Sequence, residues 1–280
     1  MTDSINFECK TPANIADTLS RTICVQKTNA SVSKLIILGI LAGAYIAFGA
    51  AIATLVSSDL AKFMGIGMAK MITGMVFSVG LMLVVIAGAE LFTGNNLMLM
   101  SALDGRVKFS KVLGKWAVVY IANLIGSVLL AYFMYKTELW KGNNYLTGIQ
   151  ALKIANAKVG LAFGAAFFRG ILCNWLVCLA VWLAIASRDI VGRIFAILFP
   201  IMTFVALGFE HCIANMYFIP MGLFLKGTEA AAASGLNLTN LNLHGFLVTN
   251  LIPVTIGNII GGAFFVACLY WAVYVKPKKA

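Results

Sequence analysis

Six apolar stretches, each about 20 residues or longer, run through this chain between short polar segments. As a helix, such a stretch crosses a hydrocarbon core roughly 30 Å thick. The bilayer interior gives the backbone no water to bond, so only helices and closed barrels can cross it. A barrel would show segments of roughly 10 residues with alternating polarity. The stretches lie at about 35–56, 69–102, 112–135, 159–187, 191–225 and 246–275. They predict an all-α integral membrane protein with six transmembrane helices. Composition agrees: 61% of residues are hydrophobic and 11% charged, against about 25% charged in soluble domains.

Residues 1–33 are polar and carry no apolar signal-peptide core. Thr11-Pro12 reads as a helix start, and Ile15, Leu19 and Ile23 recur every four residues. That stripe predicts a short interfacial helix in a cytoplasmic N-terminal segment, 1–33, ahead of a single pore domain over 34–280. Six spans put both termini on one side. Of the 21 Lys and Arg, seven (Lys62, Lys70, Lys136, Lys141, Lys153, Lys158 and Lys226) fall on the opposite side and thirteen on the terminal side. Arg169 lies within the fourth span. This bias predicts cytoplasmic termini and accounts for the net charge of +11 without a nucleic-acid partner. The six cysteines form no Cys-x-x-Cys pair and read as free, packed thiols without metal.

The second and fifth stretches are too long for one helix, and each is polar near its middle. One holds Glu90-Leu91-Phe92-Thr93-Gly94-Asn95 and the other Glu210-His211-Cys212-Ile213-Ala214-Asn215. Both read as broken helices. Gly88-x-Glu90 with Asn95 matches Gly208-x-Glu210 with Asn215, offset by 120. Asn123-Leu-Ile-Gly126 matches Asn258-Ile-Ile-Gly261 at 135, and Gly39-Ile-Leu matches Gly170-Ile-Leu at 131. Matches in one order indicate a duplication, with repeats at about 34–136 and 158–275. Three spans per half force the second half upside down, and breaks in such inverted repeats meet near the midplane along a substrate path.

A carboxylate inside a span costs roughly 2.5–3.5 kcal/mol on insertion scales. Glu90 and Glu210, with Asn95 and Asn215, are read as support for the breaks, the carboxylates accepting from freed backbone N–H groups; a proton relay is the sharper alternative. His211 stands beside Glu210 at a break, and its side chain exchanges protons near neutral pH. Lys158 opens the fourth stretch, as a snorkelling lysine or as an anion attractor. Arg169 needs a cavity, a subunit interface or a partner carboxylate. Phe77, Leu81, Phe92, Val177 and Phe204 are, on their own, packing residues.

Four segments carry a resemblance to the formate/nitrite transporter family: Ala89–Asn95, Gly170–Asn174 with Val177–Trp182, Gly208–Met216 and Gly257–Gly262. The resemblance spans nearly the whole chain. It implies an aquaporin-like protomer, a homopentamer with a pore in each protomer, small monovalent weak-acid anions as substrates, and no cofactor. It implies that His211 is the pore histidine and Thr93 its partner, with Phe77, Leu81, Phe92, Asn174, Val177 and Phe204 lining the pore and its constrictions. It makes Lys158 the vestibule lysine, which gathers the anion before His211 donates to it. Arg169 departs from the family pattern, which is apolar there. Formate is the first expectation, nitrite or hydrosulfide the second. A neutral-solute channel lacks its Asn-Pro-Ala pair, and a membrane-embedded enzyme lacks a His-Glu-x-x-His or paired Ser and His.

Overall fold

A computed structural model of the chain describes residues 8–276. Among them are six helices long and apolar enough to cross a membrane: Val32–Val56, Leu60–Gly88, Phe109–Lys136, Phe163–Ala186, Ile190–Leu207 and Gly245–Val275. No strand occurs among the described residues. The outer faces are apolar, with Ile37, Ile66, Phe168 and Leu207 all exposed, as lipid in place of water allows. Lys278 and Lys279, part of the terminal-side charge, lie outside the described residues.

Close helix packing comes from small residues at crossing points. A Cβ on Gly126 would strike the Ile40 carbonyl of the first span, and one on Gly261 would strike the Ile171 carbonyl of the fourth. These contacts fall at equivalent positions of the two halves. Glycine at helix crossings lets backbones approach where apolar packing has no water to drive it. Tyr120 and Thr255, also equivalent positions, hydrogen-bond each other at 2.9 Å.

The helical run at 12–29 begins as expected, with the Thr11 hydroxyl accepting from the Asn14 N–H at 3.3 Å. Of its apolar stripe, Ile15 and Leu19 are buried and Ile23 is partly buried against the core. Cys24 is buried with them, and its Sγ lies 3.5 Å from the Leu97 carbonyl. The segment packs into the core of the helical bundle, and the first span begins at Val32. Helix Pro12–Thr18 packs against Trp271–Val275, so both described ends of the chain share one face, the terminal face below.

The sequence reading missed helix Gly142–Val159. It precedes the fourth span and occupies the place that 12–29 holds before the first. Lys158 lies in the last turn of this helix, and the fourth span starts only at Phe163.

Candidate functional site

Two chain breaks define the site. The second span ends at Gly88, and a half-helix begins at Phe92. The fifth ends at Leu207, and helix Cys212–Leu225 follows. Gly88 (φ 91°) and Gly208 (φ 77°) hold the left-handed turns where the helices stop, a conformation costly for residues with a Cβ. Backbone groups freed there have no water, so side chains must take them.

One amide serves each break. The Phe92 N–H donates to Asn123 Oδ1 at 2.9 Å, while Asn123 Nδ2 donates to the carbonyls of Gly39 at 2.7 Å and Glu90 at 2.9 Å. In the other half, the Cys212 N–H donates to Asn258 Oδ1 at 2.9 Å, while Asn258 Nδ2 donates to Gly170 at 2.7 Å and Glu210 at 2.9 Å. The Glu90 N–H reaches the Leu38 carbonyl and the Glu210 N–H that of Arg169. Among neutral side chains only a carboxamide offers the two donors and the acceptor that such a three-way junction uses.

This arrangement corrects the expected role of the glutamates. Their carboxylates do not take the freed N–H groups; they pair with lysines and asparagine amides. Glu90 Oε2 accepts from Lys27 Nζ at 2.8 Å and from Asn95 Nδ2 at 2.9 Å. Glu210 accepts from Lys158 Nζ at 3.0 and 3.1 Å and from Asn215 Nδ2 at 2.6 Å. Each lysine arrives from the helix preceding its half's first span. Lys27 was not singled out from the sequence, yet Lys27 to Lys158 repeats the offset of 131 found for Gly39 and Gly170.

His211 caps its half-helix: Nδ1 accepts from the Ala214 N–H at 3.1 Å, and Nε2 lies 2.9 Å from Thr93 Oγ1. With Nδ1 accepting, the single proton of the neutral ring sits on Nε2, aimed at Thr93. His211 also stacks on Phe204, ring centroids 6.0 Å apart, and Phe204 meets Phe77 edge-on at 5.8 Å. Thr93 is fully buried.

A cavity lies on each side of this contact. The one at the terminal face has a volume of about 500 Å³ and includes Lys27, Lys34, Leu81, Glu90 and Leu91 in its wall. The other, of about 270 Å³, includes Phe77, Lys158, Phe204, Glu210 and His211. Lys34 stands at the start of the first span, and Ser57, which lines the second cavity, follows its end. The cavities thus open toward opposite ends of the bundle. Cys24 also lines the terminal-face cavity. Burial pushes its thiol up to about 12, so it stands there as a neutral packing group.

Three further expected pore residues, like Thr93 itself, line neither cavity. Phe92 lines neither cavity; its ring packs edge-on against Tyr120 at 4.9 Å and Trp116 at 6.2 Å. The neighbouring Leu91 faces the terminal-face cavity instead. Asn174 is fully buried, and its Nδ2 serves the Thr93 and Asn258 carbonyls and Asn96 Oδ1. It braces both breaks and is not part of either cavity wall. Val177 is buried in the core and lines neither cavity. Arg169 is exposed on the protomer's outer surface, without an ion pair or side-chain hydrogen bond to the described residues.

Two cavities at opposite ends of a membrane-spanning bundle, parted by one polar contact, define a membrane transport protein. Comparison gives the family. The sequence pattern of the formate/nitrite transporter family matches residues 13–272. The chain is 45% identical over 284 residues to the "Probable formate transporter" of Methanothermobacter thermautotrophicus, covering 95% of this chain and 98% of that one. It is 38% identical over 221 residues to the "Formate channel FocA" of Escherichia coli K12, covering 77% and 78%. A solved structure, "Pentameric formate channel with formate bound", superposes with a TM-score of 0.79 at 38% identity, covering 88% of this chain and 98% of that one. This chain belongs to the formate/nitrite transporter family, whose members are channels and transporters, not enzymes.

Proposed function

We propose that the protein conducts formate across the cytoplasmic membrane as a homopentamer with a pore in each protomer, His211 donating to the anion at the constriction. The observation that carries this reading is the Thr93–His211 contact between the two cavities. An anion entering an apolar constriction loses its water and must find a donor. The Nε2–H now shared with Thr93 is such a donor. The neutral ring can only hydrogen-bond the anion; formate crosses as the neutral acid when the doubly protonated ring gives it one proton and returns to neutral imidazole. The ring is then reset from either cavity. A second proton, on Nδ1, meets the Ala214 N–H, so a doubly protonated ring must turn away from the helix end.

The names of the similar proteins and the pentameric channel support formate and the pentamer. The exposed run Phe63, Met64, Ile66 and Met68, kinked at Gly65, is an apolar projection suited to a neighbouring protomer. Cytoplasmic termini follow from the excess of Lys and Arg on the terminal side. Inverted halves are supported by the matched junctions at Asn123 and Asn258 and by the contact of the equivalent Tyr120 and Thr255, as a two-fold relation requires. Lys158 and Lys27 attract the anion as members of ion pairs, so each acts more weakly than a free lysine would.

Flux into liposomes containing the purified protein tests this reading, with formate, nitrite and hydrosulfide compared at two pH values. Formate is expected to move fastest; a larger nitrite or hydrosulfide flux overturns the substrate assignment. His211→Phe should nearly stop formate flux in an intact pentamer. His211→Asn should conduct with a flatter dependence across about pH 5–8, where histidine ordinarily titrates. An Asn variant with the parental pH profile removes proton donation and leaves hydrogen bonding alone.

A further inference from the structure

The terminal-face cavity carries more positive charge than a monovalent anion requires. Lys10, Lys27, Lys34 and Arg193 line it, with Glu90 as its only carboxylate among the described residues. Glu90 is taken by Lys27. Lys10 Nζ has only the neutral Thr18 hydroxyl, at 3.3 Å. Lys34 and Arg193 have no ion pair or side-chain hydrogen bond among the described residues. Asp189, one turn before Arg193, accepts instead from the Gly192 N–H at 2.7 Å. Three cations without a carboxylate partner among the described residues therefore line this cavity from three elements: the segment before helix Pro12–Thr18, the first span and the fifth span.

The other half of the chain, at the opposite face, offers a contrast to which the positive-inside bias also contributes. Its cavity holds one lysine and one glutamate, already paired. At the offsets of 131 and 120, Lys34 corresponds to Ala165 and Arg193 to Thr73. Building a cavity beside a break does not need these cations. Their mutual repulsion is relieved by an anion of two or more charges. A guanidinium with two ammonium groups is a donor set for phosphate, Arg supplying a bidentate fork and Lys point charges. A volume of about 500 Å³ lies within the usual range for small-molecule sites, roughly 300–1,000 Å³.

We infer that this vestibule is a binding site for a small soluble polyvalent phosphate compound, which closes the pore mouth on that face when bound. The inference does not depend on which monovalent anion permeates. Titration calorimetry of the assembled full-length protein, in neutral-lipid nanodiscs with inorganic pyrophosphate, tests it. Saturable binding is expected, weakened about tenfold or more in Lys34→Ala/Arg193→Ala. Should the double variant fail to assemble, Arg193→Gln alone is expected to weaken binding severalfold, since Arg193 is exposed. Pyrophosphate inside liposomes whose protein has its terminal face inward should lower anion flux, and outside should not. No binding, binding unchanged in both variants, or displacement by equimolar formate overturns the site. Binding in neutral discs that is lost in discs of anionic lipid overturns the soluble ligand in favour of a lipid headgroup.

Discussion

The two breaks share a scaffold and differ at their mouths. Asn123 and Asn258 make the same three hydrogen bonds to equivalent backbone groups, with distances equal bond for bond. Each break also has a lysine, a glutamate and an asparagine in contact. Yet the Lys158–Glu210 pair is more enclosed, with side chains 13% and 5% exposed, than Lys27–Glu90 at 29% and 11%. Asn95 Oδ1 accepts from Lys27 at 3.1 Å, whereas Asn215 Oδ1 is buried without a partner. Backbone satisfaction within a membrane is obligatory, so the junctions stay alike. The charges at the mouths answer to what enters, so they differ.

The deeper pair gives the largest expected effect. Lys158→Met leaves Glu210 in an enclosed site with only amide partners, a loss of about 3–5 kcal/mol. Lys27→Met should cost about 1–2 kcal/mol, because Glu90 retains Asn95 and more access to water. Reversible unfolding of the assembled protein measures both. The double variant Lys158→Met/Glu210→Gln should recover much of the loss, since a neutral amide replaces the stranded charge. Equal costs for the two lysines would remove the enclosure difference from the comparison. Flux through a Lys158 variant therefore reports stability as well as field.

The shared junction predicts equality. Asn123→Leu and Asn258→Leu each strand one N–H and two carbonyls, at about 2–3 kcal/mol apiece, given that hydrogen bonds inside membranes average roughly 0.6 kcal/mol and reach 1.7. A difference between the two above about 1 kcal/mol would mean that the repeats are held by different forces despite matched geometry.

These junctions were half legible in the sequence. Span lengths and polar interruptions located six helices and two breaks, because hydropathy reports solvent directly. Asn123 and Asn258 marked the repeat, but their role needs three backbone groups from different helices to converge, which no local pattern records. The glutamates therefore received the backbone role that the asparagines fill. Helix Gly142–Val159 was missed because its lysines and asparagines read as loop, although its partner at 12–29 was visible from a threonine cap and an apolar stripe. Thr93 and His211 do come together. Phe92 packs edge-on in an aromatic cluster and Asn174 braces the breaks, contacts between distant segments that no local pattern records.

The smallest expected effect tests whether mouth charge is separable from the scaffold. Ala165→Lys with Thr73→Arg would install in the second half the repeat counterparts of Lys34 and Arg193, the latter in the wall of the second cavity. Ala165 is exposed, and Thr73 lines the cavity with only its own helix's Ala69 carbonyl as a hydrogen-bond partner, so neither change strands a buried group. A mouth of one sign raises the local concentration of counter-ions and their rate of entry. Formate uptake from that face at low substrate should rise severalfold at roughly 10 mM salt, where the screening length is about 30 Å. The gain should shrink near 0.15 M, where that length is about 8 Å, and vanish at saturating formate, where entry no longer limits flux. A salt-independent gain would point instead to a widened constriction, and the division between an invariant scaffold and variable mouths would not hold.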